Sequence, residues 1–102
     1  MEKPLFIPLK TEYYEAFKDG RKTEELRQYG PRWNEKTCQP GREVVISKGY
    51  GKQSRMKGKV RSFSKLPASV LKYPEHRQAV KALYGTLDIE IAVIVICDLR
   101  SV

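Results

Sequence analysis

The residues Gly20-Arg21-Lys22-Thr23-Glu24-Glu25-Leu26-Arg27 place a lysine, a glutamate and an arginine within six positions, directly after a glycine of the kind that ends a helix. Side chains alternate between the two faces of a strand, so a strand that begins at Thr23 puts Thr23, Glu25 and Arg27 on one face. Lys22 precedes this strand and can reach the same face. The stretch therefore predicts a small charged site at a helix–strand junction.

These eight residues fit the pattern GxKxxExR, which resembles the signature of the activating-signal-cointegrator homology (ASCH) family, a branch of the PUA-like β-barrels. In that family a helix leads into the signature strand, and a later helix precedes the final strand. The chain shows both in that order, so the resemblance extends over nearly its whole length. It implies a small PUA-like mixed β-barrel that binds RNA or a nucleotide-like ligand.

Hydrophobic periodicity and turn residues predict five or six strands and two helices, an α+β barrel. We expect strands over residues 5–9, 23–28, 43–47, 56–63 and 87–99. Helices are expected over 12–19, capped by Thr11, and over 74–84, ended by Gly85. The apolar stripe of the second helix (Ala79, Val80, Leu83 and Tyr84) is expected in the core. In the fourth strand, Lys57, Lys59, Arg61 and Phe63 are expected opposite Met56, Gly58 and Val60.

The composition is that of a soluble protein forming one domain over residues 1–102. No apolar run reaches the ~20 residues that span a bilayer, and the segment after Met1 does not resemble a signal peptide. We therefore expect a cytoplasmic protein without a membrane partner. Cys38, Cys97 and His76 cannot form a paired-cysteine zinc pattern, and we expect neither a metal nor another cofactor. The oligomeric state stays open.

Positive charge is concentrated in one segment. The chain carries a net charge of +8, and residues 42–65 hold eight basic side chains against the single acid Glu43. These bases are Arg42, Lys48, Lys52, Arg55, Lys57, Lys59, Arg61 and Lys65. Such a segment attracts polyanions, although lysine-rich stretches also serve only to keep a surface solvated.

The charged motif can capture an anion. Lys22 would act as a point charge and Arg27 as a planar fork for phosphate, while Glu25 orients them or accepts hydrogen bonds from a ribose or base. We expect an RNA-, nucleoside- or nucleotide-binding cleft flanked by the basic hairpin over residues 48–61. Further candidate ligand contacts are Thr23, Lys52, Arg55, Lys57 and Lys59, together with Trp33 and Tyr50, which are expected to be exposed enough to stack on unpaired bases.

A catalytic role is the first alternative. One branch that the chain resembles contains small bacterial amidohydrolases that remove acyl groups from N4 of cytosine nucleosides, and the motif lysine is the proposed catalytic residue there. Lys22 matches this lysine, whereas Glu25 stands where that branch has threonine. The resemblance implies Lys22 and Glu25 as catalytic residues, with Glu75 or Glu90 as the proton donor.

Two further alternatives remain. In a ribonuclease, Lys22 would replace one of the two histidines that usually serve as acid and base, since the single His76 is expected on a solvated helix surface. In a purely structural role, Glu25 and Arg27 form a salt bridge along one strand face and Trp33 packs across a barrel end.

Overall fold

Five strands and two α-helices make up the fold of residues 3–102, the part of the chain that the computed structural model describes. The predicted domain also includes Met1 and Glu2, which lie outside the described residues. The α+β class with two helices is confirmed, with five strands. The elements are β1 (Leu5–Leu9), α1 (Thr11–Lys18), β2 (Glu24–Gln28), β3 (Glu43–Lys48), β4 (Arg55–Pro67), a short 3-10 turn (Ala68–Val70), α2 (Pro74–Tyr84) and β5 (Glu90–Ser101).

The strands form one sheet, which curls into a half-barrel with the order β1-β3-β4-β5-β2. β1 runs parallel to β3, and every other neighbouring pair is antiparallel. β1 and β2 are therefore the two edges of the half-barrel. An edge position suits β1, because Pro8 lacks the N–H that a central strand would need.

The main core lies on the inner face of the sheet, which packs against α1. Its fully buried side chains include Ile7, Val44, Ile46 and Ile94, and Tyr14 and Phe17 of α1 pack onto them. A smaller core lies on the opposite, outer face, where Val80 of α2 and Leu71 cover Ile91 and Val93 of β5. β5 thus buries both faces at this end, which is why its sequence reads as a central strand.

The helix α1 delivers the charged motif to its position. Thr11 is the first helical residue and not the cap as predicted, because Lys10 occupies the N-cap position without a side-chain hydrogen bond. Gly20 ends the helical region as predicted, with a φ of 84° that a side chain would strain. The chain then turns back, so that the Lys22 N–H donates to the Ala16 carbonyl at 3.1 Å.

Two register shifts in the β4–β5 ladder change the predicted side-chain pattern. Met56, Gly58 and Val60 share one face as expected, and this face meets the core. The second shift lies between Val60 and Ser62, and beyond it Phe63 packs against the core instead of standing with Lys57 and Lys59. A bulge inserts one residue into a strand and thereby exchanges its two faces.

Within residues 3–102, no helix combines the length and the apolar composition that crossing a membrane requires.

Gly58 lies at the first register shift, where β4 packs closely against β5. A Cβ at this position would meet the Cys97 carbonyl oxygen at 2.7 Å and Leu99 Cδ2 at 2.9 Å. Because the paired backbone cannot move away freely, we expect Gly58→Ala to lower the free energy of unfolding in urea by about 1–3 kcal/mol. Gly51→Ala is the matched control, since its Cβ would meet no atom within 4 Å. Equal stability of the two variants would contradict this packing.

Candidate functional site

A buried glutamate of β2 lies between two cations. The Glu25 side chain accepts a hydrogen bond from Arg27 Nε at 2.8 Å, and its other carboxylate oxygen lies 3.5 Å from Lys22 Nζ. Glu25 is only 7% exposed. The predicted convergence of Lys22, Glu25 and Arg27 on one face is therefore what the structure shows. Thr23 precedes β2 and is exposed.

Arg27 also joins the two edges of the half-barrel. Its Nη2 donates to the Pro8 carbonyl of β1 at 2.8 Å, while its Nε holds Glu25. β1 and β2 are not neighbours in the sheet, so this side chain connects strands that backbone hydrogen bonds do not. The planar guanidinium can bind two acceptors in different directions, which an ammonium group does less well.

Lys22 is held against α1. Its Nζ lies 5.5 Å from the ring centroid of Tyr13 and 5.3 Å from that of Phe17. Cations are attracted to aromatic faces at such distances. The ammonium group therefore has a fixed place between α1 and Glu25.

The three charged residues form part of the wall of a cleft of about 640 Å³ that runs along β2. One wall comes from β1 and α1, and the other comes from α2. The lining residues are Pro8, Leu9, Lys10, Tyr13, Lys22, Glu25, Leu26, Arg27, Gln28, His76, Ala79, Val80, Ala82, Leu83, Tyr84 and Ile91.

The structure separates the basic hairpin from this cleft, contrary to the prediction. Lys57 and Lys59 alternate with core residues of β4 and therefore point to the outer face of the sheet. Glu25 pairs with Ile94, which belongs to the main core, so its side chain lies on the inner face. Of the predicted ligand contacts, Thr23, Trp33, Tyr50, Lys52, Arg55, Lys57 and Lys59 do not line the cleft.

Trp33 is buried rather than half-exposed as predicted. Its side chain is 8% exposed and packs in the main core, with the guanidinium carbons of Arg27 and Arg32 at 5.0 and 5.3 Å from its ring. Trp33 thus packs against Arg27, as in the structural alternative.

In the same segment, Tyr29 donates a hydrogen bond to Glu35. This bond raises the pKa of Tyr29 and lowers the pKa of Glu35.

The apolar pattern of α2 did not predict the contribution of this helix to the site. Of the predicted apolar stripe only Val80 is buried, whereas Leu83 is 74% exposed and lines the cleft. His76 lies in the same wall with its ring 5.2 Å from that of Tyr73, and not on a fully solvated surface. The spacing of residues 76, 80 and 83 along one helix face is the signal that could have placed His76 there.

The two proposed proton donors are elsewhere. Neither Glu75 nor Glu90 lines the cleft. Glu90 instead lies 3.9 Å from Lys65 Nζ.

Comparison with solved structures identifies the fold. The ASCH protein of Zymomonas mobilis matches with a TM-score of 0.67 and 16% identity, covering 94% of this chain and 68% of that chain. A variant of the same protein with one tyrosine replaced by phenylalanine matches with a TM-score of 0.68 and 16% identity, covering 98% and 73%. No family model and no curated protein matches the sequence.

Removing the guanidinium of Arg27 should destabilise the protein. Arg27→Met leaves Glu25 buried without its closest partner and releases the Pro8 carbonyl. We therefore expect the free energy of unfolding to fall by about 2 kcal/mol or more, measured by urea denaturation.

Arg21→Met provides the matched control. Arg21 also pairs with an acid two positions earlier, Asp19, at 2.8 Å, but both side chains are exposed. Loss of an exposed pair should lower the free energy of unfolding much less than loss of the buried one, because water screens exposed charges. If both variants lost the same stability, the bridge through Arg27 would not be an important contact.

Proposed function

We propose that this chain, whose fold is that of the ASCH protein of Zymomonas mobilis, binds a nucleoside or nucleotide unit in the cleft along β2, either free or as part of RNA. The observation that carries the proposal is the convergence of Lys22 and Arg27 on the buried Glu25 in the cleft wall. The GxKxxExR resemblance, which implies ligands of this class, supports the same conclusion.

The dimensions and walls of the cleft suit such a ligand. Its volume of about 640 Å³ falls in the range of about 300–1,000 Å³ typical of small-molecule sites. Leu9, Leu26 and Val80 provide apolar surface for a base, and the partly exposed ring of Tyr13 provides an aromatic one. A nucleobase is flat and largely apolar on its faces, so these walls favour it over a purely ionic ligand.

The charges suit the polar part of the ligand. Two cations face one carboxylate, so the cluster carries a local excess of one positive charge. The Lys22 ammonium has three N–H donors, and its contact with Glu25 is long at 3.5 Å. Lys22 can therefore donate to a phosphate or a carbonyl while Glu25 and Arg27 stay paired.

One observation favours the amidohydrolase alternative. Lys22 and Glu25, the pair that would have to act on an N4-acyl group, both line the cleft. Neither of the glutamates proposed as proton donors lines the cleft. Binding without hydrolysis needs no such donor, and we place it first for this reason.

Binding can be measured directly by isothermal titration calorimetry with cytidine 5′-monophosphate and with N4-acetylcytidine. Lys22→Ala removes a charge-assisted contact, so we expect affinity for the monophosphate to fall by about tenfold. Lys18→Ala is the control, because Lys18 is an exposed lysine of α1 that does not line the cleft. Absence of binding by the wild-type protein, or equal loss in both variants, would contradict the proposal.

The same samples test for catalysis. Conversion of N4-acetylcytidine to cytidine changes the absorbance, and cleavage of an oligoribonucleotide is visible on a denaturing gel. We expect neither reaction. Deacylation that is lost in Lys22→Ala but kept in Lys18→Ala would establish the amidohydrolase instead, and RNA cleavage with the same dependence would establish a ribonuclease.

A further inference from the structure

One end of the outer sheet face is not covered by α2. A single row of directly paired residues crosses four strands there, from Phe6 through Val45 and Lys57 to Arg100. Directly paired residues point to the same face. Arg55 and Lys59 flank Lys57 on this face, two positions away along β4. We call Phe6, Tyr50, Arg55, Lys57, Lys59 and Arg100 the outer basic face.

In the part of the chain that the structure describes, the two lysines and Arg100 of this face have no ion-pair partner. Within residues 3–102, no carboxylate lies within 4.0 Å of the charged groups of Lys57, Lys59 or Arg100, whereas Lys48 pairs with Glu15 at 2.8 Å. Lys57 and Arg100 even lie directly opposite each other, an arrangement that disfavours folding. Glu43 opposite Lys59 and the exposed Asp98 offset part of the charge but leave an excess of cations.

An aromatic platform borders these cations. Tyr50 is 79% exposed, and its ring centroid lies 6.2 Å from that of Phe6. The Arg55 guanidinium lies 5.0 Å from the Phe6 ring and is held by hydrogen bonds to the carbonyls of Gly51 and Tyr50. The loop therefore presents Tyr50 with an open ring beside a guanidinium that is fixed in place.

We propose that the outer basic face binds single-stranded RNA, with an unpaired base stacked on Tyr50 and successive phosphates on Lys57, Arg100 and Lys59. Exposed aromatics beside a basic groove are how proteins bind single strands without reading their sequence. Cations two residues apart on a strand are about 6.6 Å apart, and side chains of this length can adjust to neighbouring phosphates. A duplex would leave Tyr50 without a partner, because its bases are already stacked. This surface is separate from the cleft and does not depend on the ligand bound there.

The test is fluorescence anisotropy with a labelled 12-nucleotide single-stranded RNA at several salt concentrations. The double variant Lys57→Gln/Arg100→Gln should bind about tenfold more weakly at low salt. It should also lower the slope of log affinity against log salt by about 1.4, since each phosphate contact on a single strand contributes about 0.7. Tyr50→Ala should weaken binding about tenfold without changing the slope, because stacking releases no counterions.

Lys36→Gln/Lys72→Gln is the matched control, with the same loss of charge at exposed positions elsewhere. An equal effect of this control would overturn the proposal, because any lost charge would then suffice. The proposal would also be overturned if the protein bound a duplex of the same sequence as tightly as the single strand and Tyr50→Ala left that affinity unchanged. Loss of RNA binding in Lys22→Ala but not in the outer-face variants would assign RNA to the cleft and overturn only this inference. If RNA binding depended on the outer basic face and no mononucleotide bound, the result would support this inference and contradict the cleft proposal.

Discussion

The buried carboxylate of Glu25 is the constraint on which the site depends. A charge removed from water is costly unless hydrogen bonds and opposite charges compensate it. Arg27 and Lys22 supply this compensation from two directions. Arg27 is at the same time bound to the carbonyl of Pro8. The pairing that stabilises the glutamate therefore also joins β2 to β1 in the wall of the cleft.

The second wall of the cleft is built differently. α2 buries only Val80, and its other apolar side chains remain accessible along the cleft. Burial of those side chains against the sheet would have added stability at roughly 25 cal/mol per Å². The helix instead leaves that surface open. The charged wall is cross-linked by the ion pairs of Glu25 and the hydrogen bond to Pro8, whereas α2 contributes a single buried side chain to its own wall.

The structure also redistributes the positive charge that the composition shows. Several of the basic residues between 42 and 65 are used inside the molecule: Arg42 donates to the Thr37 carbonyl, Lys48 pairs with Glu15, and Lys65 lies near Glu90. Among the contacts that residues 3–102 make, the bases without such partners lie mainly on β4. Pairing with β5 then adds Arg100, which is distant in sequence, to the same surface. The net charge of a segment thus overstates what it offers to a polyanion, and the ladder register decides where the remainder lies.

The sequence alone determined the α+β class, the order of the elements and the convergence of Lys22, Glu25 and Arg27, because alternation along a strand and the glycine after α1 are local properties. It did not determine the burial of Trp33, the reversal of Phe63 or the separation of the hairpin from the cleft. The reversal of Phe63 follows from a one-residue bulge in the β4–β5 ladder. The hairpin is separate from the cleft because β4 places its lysines on the outer face of the sheet, whereas β2 places Glu25 on the inner face. The apolar stripe of α2 likewise predicts a face turned toward the core. Only the tertiary structure shows that most of this face borders a cleft. Local rules specify which residues share a face as far as the next bulge, whereas long-range pairing decides where bulges fall and what each face meets.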